Sequence, residues 1–85
     1  MNLDELRSKI DLIDKELLEL FIERLELVRD IAELKSENSV EILDKDREEQ
    51  ILYNVQTDSG EYSKFTIDLF KQILRVSKEM QKEYK

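Results

Sequence analysis

The chain has 85 residues, of which 41% are charged and 40% hydrophobic, with one Gly and no Pro, a composition that favours helices over turn-rich β folds. It contains no Cys and no His, which excludes disulfides, thiol nucleophiles, imidazole bases and the usual zinc ligand sets. The net charge of −7 argues against a general nucleic-acid or anionic-membrane binder. A small anionic ligand is still compatible with this charge if the basic residues cluster locally.

Length and hydropathy predict one all-α domain that spans residues 1–85. No apolar run follows basic residues at the N-terminus, and no stretch approaches the roughly 18 apolar residues that cross a membrane. We therefore expect a cytoplasmic protein that does not insert into membranes.

The first predicted helix runs from Asn2 to about Glu37. Asn2 is a suitable N-cap, and Glu5 three residues later completes a capping-box pattern. The apolar positions follow a 3,4 spacing that is typical of one continuous amphipathic helix. They are Leu6, Ile10, Ile13, Leu17, Leu20, Leu27, Ile31 and Leu34.

The length of this helix predicts a second copy of the chain. About 35 residues at 1.5 Å per residue give roughly 50 Å. A compact domain of this size is only about 30 Å across, so the apolar stripe extends beyond what the rest of the chain can cover. A symmetric homodimer is the simplest cover for it.

Two further helices are predicted. The second runs from about Leu43 to Gln56 and starts near Asp44, after a connection with the sequence SENSVEIL. The sequence TDSGEYS, residues 57–63, holds the only Gly and is the predicted second connection. The third helix follows, and its apolar residues are Phe65, Leu69, Phe70, Ile73, Leu74 and Val76.

A cation interrupts the apolar stripe of the first helix. The 3,4 spacing requires an apolar residue between Leu20 and Leu27, and Arg24 stands there instead. Lys35, eleven residues later, shares the face of Arg24 at about 16 Å along the helix axis. An isolated charge at such a position is usually paired with a buried carboxylate or reaches solvent with its tip.

The other two helices show similar interruptions. Arg47 and Glu48 prolong the apolar face of the second helix, and Ser77 and Gln81 follow Ile73 at i+4 and i+8 on the third. Each of these is compatible with an ordinary surface residue when it is taken singly. Together, polar groups from three helices are typical of a polar pocket inside a helix bundle.

Arg7 lies seventeen residues before Arg24, which is roughly 25 Å along the same helix. It therefore cannot easily reach the same small ligand from the same chain. Either Arg7 is a solvated surface residue, or it completes the pocket of a partner subunit.

These positions resemble the all-helical, AroQ-type chorismate mutases over essentially the whole chain. The first helix resembles the opening L-R-x-x-I and E-R elements of that family, at Arg7 and Arg24, and its lysine near the helix end, at Lys35. Residues 44–49, DKDREE, are similar to the D-x-x-R-E element and supply Asp44, Arg47 and Glu48. The segment LFKQILRVSKEMQ resembles the closing motif, with Ser77 and Gln81. At Lys78 some members of the family carry an apolar residue.

The resemblance implies an intertwined homodimer, in which three helices of one chain and Arg7 of the other form each of two sites. It implies rearrangement of chorismate, a dicarboxylate, to prephenate in Phe and Tyr biosynthesis, with no covalent intermediate, cofactor or metal. Four residues are expected to act in catalysis: Arg24, Lys35, Glu48 and Gln81. Substrate contacts are expected from Arg7, Arg24, Lys35, Asp44, Arg47, Glu48, Ser77 and Gln81.

Two alternatives remain at this level. The same architecture serves isochorismate pyruvate-lyases, which keep much of the cationic pocket. A non-catalytic helical dimerisation module would explain the long first helix, but it would favour an apolar residue where Arg24 stands.

Overall fold

The computed structural model describes residues 1–84 and is built of helices, with no strand in that range. Three α-helices, α1 (Leu3–Glu37), α2 (Lys45–Ser59) and α3 (Ser63–Glu83), follow one another, with a single 3₁₀ turn (Gly60–Tyr62) between the last two. The all-α prediction and the very long first helix are therefore confirmed. None of the helices in residues 1–84 combines the length and apolarity that a bilayer span requires.

The starts of α1 and α2 are fixed by side-chain caps. The side chain of Asn2 accepts a hydrogen bond from the backbone N–H of Glu5 at 2.9 Å, as the capping-box pattern predicts. Asp44 accepts from the backbone N–H of Arg47 at 3.0 Å, so it is the N-cap of α2. In both helices, acidic residues follow the cap in the first turn, where their negative charge complements the helix dipole.

The second connection lies within the predicted residues 57–63 but is shorter than predicted. α2 continues through Ser59, and the connection shrinks to the 3₁₀ turn. Thr57 donates from its hydroxyl to the backbone carbonyl of Tyr53, and Ser59 does the same to Val55, so these polar residues close helical turns. The helix ends at Gly60, whose φ of 56° and ψ of −127° lie where residues with a Cβ are strained.

α3 packs against both α1 and α2 and forms the centre of the fold. The buried apolar residues are Val28 and Ala32 of α1 and Leu74 of α3. Two polar residues of α3, Ser77 and Gln81, are as buried as this core. The tightest packing of the chain therefore lies beside polar groups, in the C-terminal half of α1.

The N-terminal half of α1 has no cover from its own chain. Leu6, Ile10, Ile13, Leu17 and Leu20 are each between 43% and 62% exposed, although they form a regular apolar stripe. The molecule measures 54 × 24 × 15 Å, close to the length expected for α1 alone. Within residues 1–84, only α3 packs directly on α1, and it covers one half of that helix, while α2 packs on α3.

Candidate active site

A cavity of about 410 Å³ lies among the three helices. Its apolar wall includes Val28, Ile31 and Leu74. Of the eight site residues predicted from the sequence, seven line this cavity: Arg24, Lys35, Asp44, Arg47, Glu48, Ser77 and Gln81. The volume is in the range of small-molecule sites, which are largely apolar with a few converging polar groups.

Arg24 is held across the contact between α1 and α3. Its Nη1 donates a hydrogen bond to Oγ of Ser77, and Ser77 in turn donates to the carbonyl of Ile73 at 2.8 Å. Because the hydroxyl proton of Ser77 is used by its own helix, its oxygen is left to accept from the guanidinium. The buried Ser77 therefore orients the cation that interrupts the apolar stripe.

The electrostatic environment of Arg24 is unfavourable for a cation. Burial lowers the pKa of its guanidinium, and the like charge of Arg47 lowers the pKa further. Two guanidinium groups from different helices thus repel one another within one cavity. Such an arrangement is relieved by an anion that binds between the two groups.

Lys35 connects three parts of the structure at the end of α1. Its Nζ donates to the carbonyl of Ile42, in the connection before α2, at 2.8 Å, and to Oε1 of Gln81, on α3, at 3.2 Å. An ammonium group has three N–H donors, so one remains after these two bonds. With its oxygen turned to Lys35, the Gln81 amide presents an NH₂ group as a second donor.

The N-cap and the first turn of α2 together supply a cation and two carboxylates. Asp44 is committed to the helix, since its side chain caps the N–H of Arg47 and its carbonyl accepts from the N–H of Glu48 at 3.0 Å. Arg47 donates from Nη1 to Oε1 of Gln50 at 2.7 Å, which leaves its other guanidinium donors for a ligand. The side chain of Glu48 is 24% exposed and reaches toward α3.

The sequence interpretation missed Lys78 as a residue of this site. Lys78 lines the cavity, and its Nζ lies 3.2 Å from Oε2 of Glu48, in an ion pair between α3 and α2. The only available signal was its position, directly after Ser77 and three residues before Gln81. Residues three apart on a helix are neighbours on its surface, so Lys78 lies beside Gln81 at the edge of the face that lines the cavity.

Arg7 does not line the cavity of its own chain. It lies on the exposed N-terminal half of α1, roughly 25 Å along the helix from Arg24. The single chain therefore does not bring the eighth predicted residue to the site.

The cavity is strongly cationic for an acidic protein. Four cations (Arg24, Lys35, Arg47 and Lys78) and two carboxylates (Asp44 and Glu48) line it, which gives a formal charge of +2 in a chain of −7. The sequence has no Cys or His, so thiol and imidazole chemistry are excluded. The cations of the cavity can bind and orient an anion and stabilise negative charge.

The fold and the cavity together define a class of all-helical protein with a cationic cavity of small-molecule size between its helices. Residues 6–82 match the type II chorismate mutase family. The chain belongs to that family, and the resemblance seen in the sequence motifs is confirmed.

Two relatives show the extent of the similarity. A protein named chorismate mutase from Methanocaldococcus jannaschii is 34% identical over 85 residues, which cover 96% of this chain and 86% of that protein. A protein named T-protein from Haemophilus influenzae is 36% identical over 73 residues, which cover 86% of this chain and 19% of that protein. The similarity thus extends over most of one protein of about this length and over a segment of a much longer one.

Proposed function

We propose that the cavity is the active site of a chorismate mutase, in which chorismate rearranges to prephenate. This isomerase activity is that of the family to which the chain belongs, and it serves aromatic amino-acid biosynthesis. The observation that carries the proposal is the convergence of cations from all three helices on one cavity in an acidic chain.

The reaction suits the side chains that are present. It is a Claisen rearrangement, in which an ether C–O bond breaks while a C–C bond forms within one molecule. No proton is transferred and no covalent intermediate arises, so neither a nucleophile nor a general base is required. A protein without His and Cys can accelerate it by holding the substrate in its folded, reactive conformation and by stabilising charge.

The two carboxylates of chorismate fit the guanidinium groups of the site. Arg24 and Arg47 would bind them with the partner subunit's Arg7, since a guanidinium matches a carboxylate with two parallel hydrogen bonds. Ser77 supports this binding through its contact with Arg24. An anion between Arg24 and Arg47 attracts both guanidinium groups and offsets their mutual repulsion, which favours binding of the dianion.

Lys35 and Gln81 would act on the breaking bond. Cleavage of the C–O bond runs ahead of C–C bond formation, so partial negative charge develops on the ether oxygen. Donors that are fixed in advance near that oxygen stabilise the transition state more than the substrate. One such donor contributes on the order of 3 kcal/mol, or about a hundredfold in rate.

Glu48 would accept a hydrogen bond from the ring hydroxyl, and Asp44 would support the substrate through its backbone. The ring then has a fixed orientation relative to the enolpyruvyl side chain, which reduces the entropy that the substrate loses on reaching the reactive conformation. This is a role in positioning, and it requires the carboxylate of Glu48 to face the cavity.

The working unit would be an intertwined homodimer. The apolar stripe on the N-terminal half of α1 is exposed on the single chain, and a second copy that packs along it would bury that surface. The same packing would bring the partner subunit's Arg7 to the cavity. The extent of the domain over residues 1–85 and the cytoplasmic location stay predictions from the sequence.

Purified protein incubated separately with chorismate and with isochorismate tests the proposal. We expect chorismate to disappear with formation of prephenate and without release of pyruvate. Pyruvate release from isochorismate, with chorismate left intact, would assign the chain to the lyases instead. Turnover of neither substrate would favour a non-catalytic dimerisation module.

A further inference from the structure

The ion pair between Lys78 and Glu48 is part of the cavity wall, yet the proposed reaction gives Lys78 no role. Its Nζ lies 3.2 Å from Oε2 of Glu48 and connects α3 to the first turn of α2. Lys78 directly follows Ser77 and precedes Gln81 by three residues, so it shares the cavity with both.

This pair differs from the other ion pairs within residues 1–84. Arg29 with Asp30 and Lys82 with Glu79 each join neighbours on one helix, at 4.0 and 3.9 Å, with side chains that are 44% to 64% exposed. The side chains of Lys78 and Glu48 are 35% and 24% exposed, and they join two helices. A shorter and more enclosed pair between helices restricts its side chains more than a surface pair does.

Glu48 has competing partners in the same cavity. Arg24, Arg47 and Lys35 all line it, and each offers N–H donors to a carboxylate. If Glu48 turned toward the guanidinium groups, it would occupy the donors that an anionic substrate requires. A dedicated cation on α3 holds this carboxylate at the wall between α2 and α3 instead.

We propose that Lys78 is a positioning residue that holds the carboxylate of Glu48 away from the two arginines and toward the bound ring. The inference rests on the proposed function, because it assigns Glu48 to the hydroxyl of the substrate. Lys78 acts through Glu48 and does not itself contact the reacting atoms. It also offsets the charge of Glu48, so that the cavity keeps its formal charge of +2.

A double-mutant cycle on the full chain tests this role, with chorismate as the substrate. The variants are Lys78→Met, Glu48→Gln and the combination of both, and the combination keeps the formal charge of the cavity. Lys78→Arg retains a cation, and Lys82→Met removes an exposed lysine one turn further along α3. Thermal unfolding of each variant shows whether the fold is intact.

We expect Lys78→Met to lower kcat/KM about three- to tenfold, as suits a partly exposed pair that acts indirectly. In the Glu48→Gln background the same change should alter kcat/KM by less than about twofold, because the carboxylate that Lys78 positions is no longer present. Lys78→Arg should retain at least about half of the kcat/KM, since its guanidinium also pairs with a carboxylate. Lys82→Met should match the unmodified protein.

Equal losses from Lys78→Met in both backgrounds would overturn the inference and indicate direct contact with the substrate. A Lys78→Met variant as active as the unmodified protein would also overturn it, while chorismate turnover by both would leave the proposed function intact. If the unmodified protein did not convert chorismate, the proposed function would fail, and this inference with it.

Discussion

The Nζ atom of Lys35 lies 3.2 Å from Oε1 of Gln81 and joins the end of α1 to the last turns of α3. The same ammonium donates a hydrogen bond to the carbonyl of Ile42, so it also fixes the connection before α2 beside the cavity. Because the oxygen of the Gln81 amide is taken by Lys35, its NH₂ group is available to a ligand. One lysine therefore supplies a donor and orients a second one.

The first prediction concerns this lysine. Lys35→Ala should lower kcat by more than tenfold, because it removes one donor to the ether oxygen and frees the amide of Gln81 to rotate. Steady-state kinetics with chorismate measures the effect, and circular dichroism checks that the variant is folded. Lys82→Ala, at an exposed position on α3, is the matched control and should leave kcat unchanged. An unchanged kcat in Lys35→Ala would remove Lys35 from the mechanism.

The second prediction concerns the pH dependence of a Gln81 variant. An ionised carboxylate at position 81 has no N–H or O–H to donate to the ether oxygen, whereas a protonated one does. Gln81→Glu should therefore lose activity near neutral pH and regain it as the pH falls and the new side chain takes up a proton. The measurement is kcat/KM between pH 4 and pH 8, as a rough range in which carboxylic acids and their perturbed forms titrate.

Two variants control for other effects of that substitution. Gln72→Glu adds the same charge at an exposed site on α3 and should keep the pH profile of the unmodified protein. Gln81→Leu has no donor at any pH and should be weakly active throughout. A flat profile for Gln81→Glu would contradict the assigned contact with the ether oxygen.

Helix boundaries were predictable where a local signal fixes them. Asn2 caps α1 as predicted, and α2 starts directly after Asp44, near which its start was predicted, because a cap requires only a few adjacent residues. The second connection was predicted too long, because Thr57 and Ser59 are common loop residues but here donate hydrogen bonds to carbonyls one helical turn earlier. That choice depends on the helix already present before them, which residue type alone does not show.

The buried face of α1 was only partly predictable. The 3,4 spacing emphasises large residues such as Leu27 and Leu34, yet Val28 and Ala32 are the residues that α3 buries. Small side chains let two helices approach closely, and Leu27 and Leu34 remain about 60% exposed. A helix with two adjacent apolar faces does not reveal which face is covered by its own chain.

Several residues that line the cavity were predictable because they interrupt the apolar pattern. Arg24 stands where packing alone favours a hydrophobic residue, and motif spacing identified the others. Lys78 lies at the edge of the apolar face of α3, where an exposed lysine is common and gives no signal of function. Only its contact with Glu48 in the structure reveals its place in the cavity. The proposed contribution of Arg7 from a second chain depends on packing between chains, which the pattern of one chain only suggests.

The third prediction separates stability from activity at Arg24. Its pKa is lowered by burial and then by Arg47, which means that the folded state disfavours the charged form. The guanidinium nevertheless stays charged near neutral pH, so this cost is present throughout that range and would be relieved only in strong alkali. Arg24→Met should therefore raise the Tm by about 2–5 °C while lowering kcat/KM at least about a hundredfold.

Differential scanning calorimetry at one fixed protein concentration measures this effect, because the Tm of an oligomer depends on concentration. Arg29→Met is the control, since Arg29 is a more exposed arginine on the same helix and its loss should change neither quantity appreciably. A lower Tm for Arg24→Met would mean that its bond to Ser77 outweighs the cost of burying the charge.

The last prediction tests whether two chains share each site. In a hybrid of an Arg7→Ala chain and an Arg24→Ala chain, one site would hold Arg24 from the first chain and Arg7 from the second, both native. The other site would lack both arginines. Random mixing in equal amounts makes half of the dimers hybrids, so the mixture should regain about one quarter of the unmodified activity, far above either variant alone.

A second mixture controls for nonspecific recovery. Arg24→Ala and Lys35→Ala alter residues that line the cavity of one and the same chain, so every site in their hybrid lacks one of the two groups. That mixture should stay inactive, because exchange of subunits restores no complete site. Native mass spectrometry establishes that hybrids form in both mixtures. Hybrids of Arg7→Ala and Arg24→Ala without recovered activity would show that the partner subunit's Arg7 does not serve the cavity, and Arg7 would then be an ordinary surface residue.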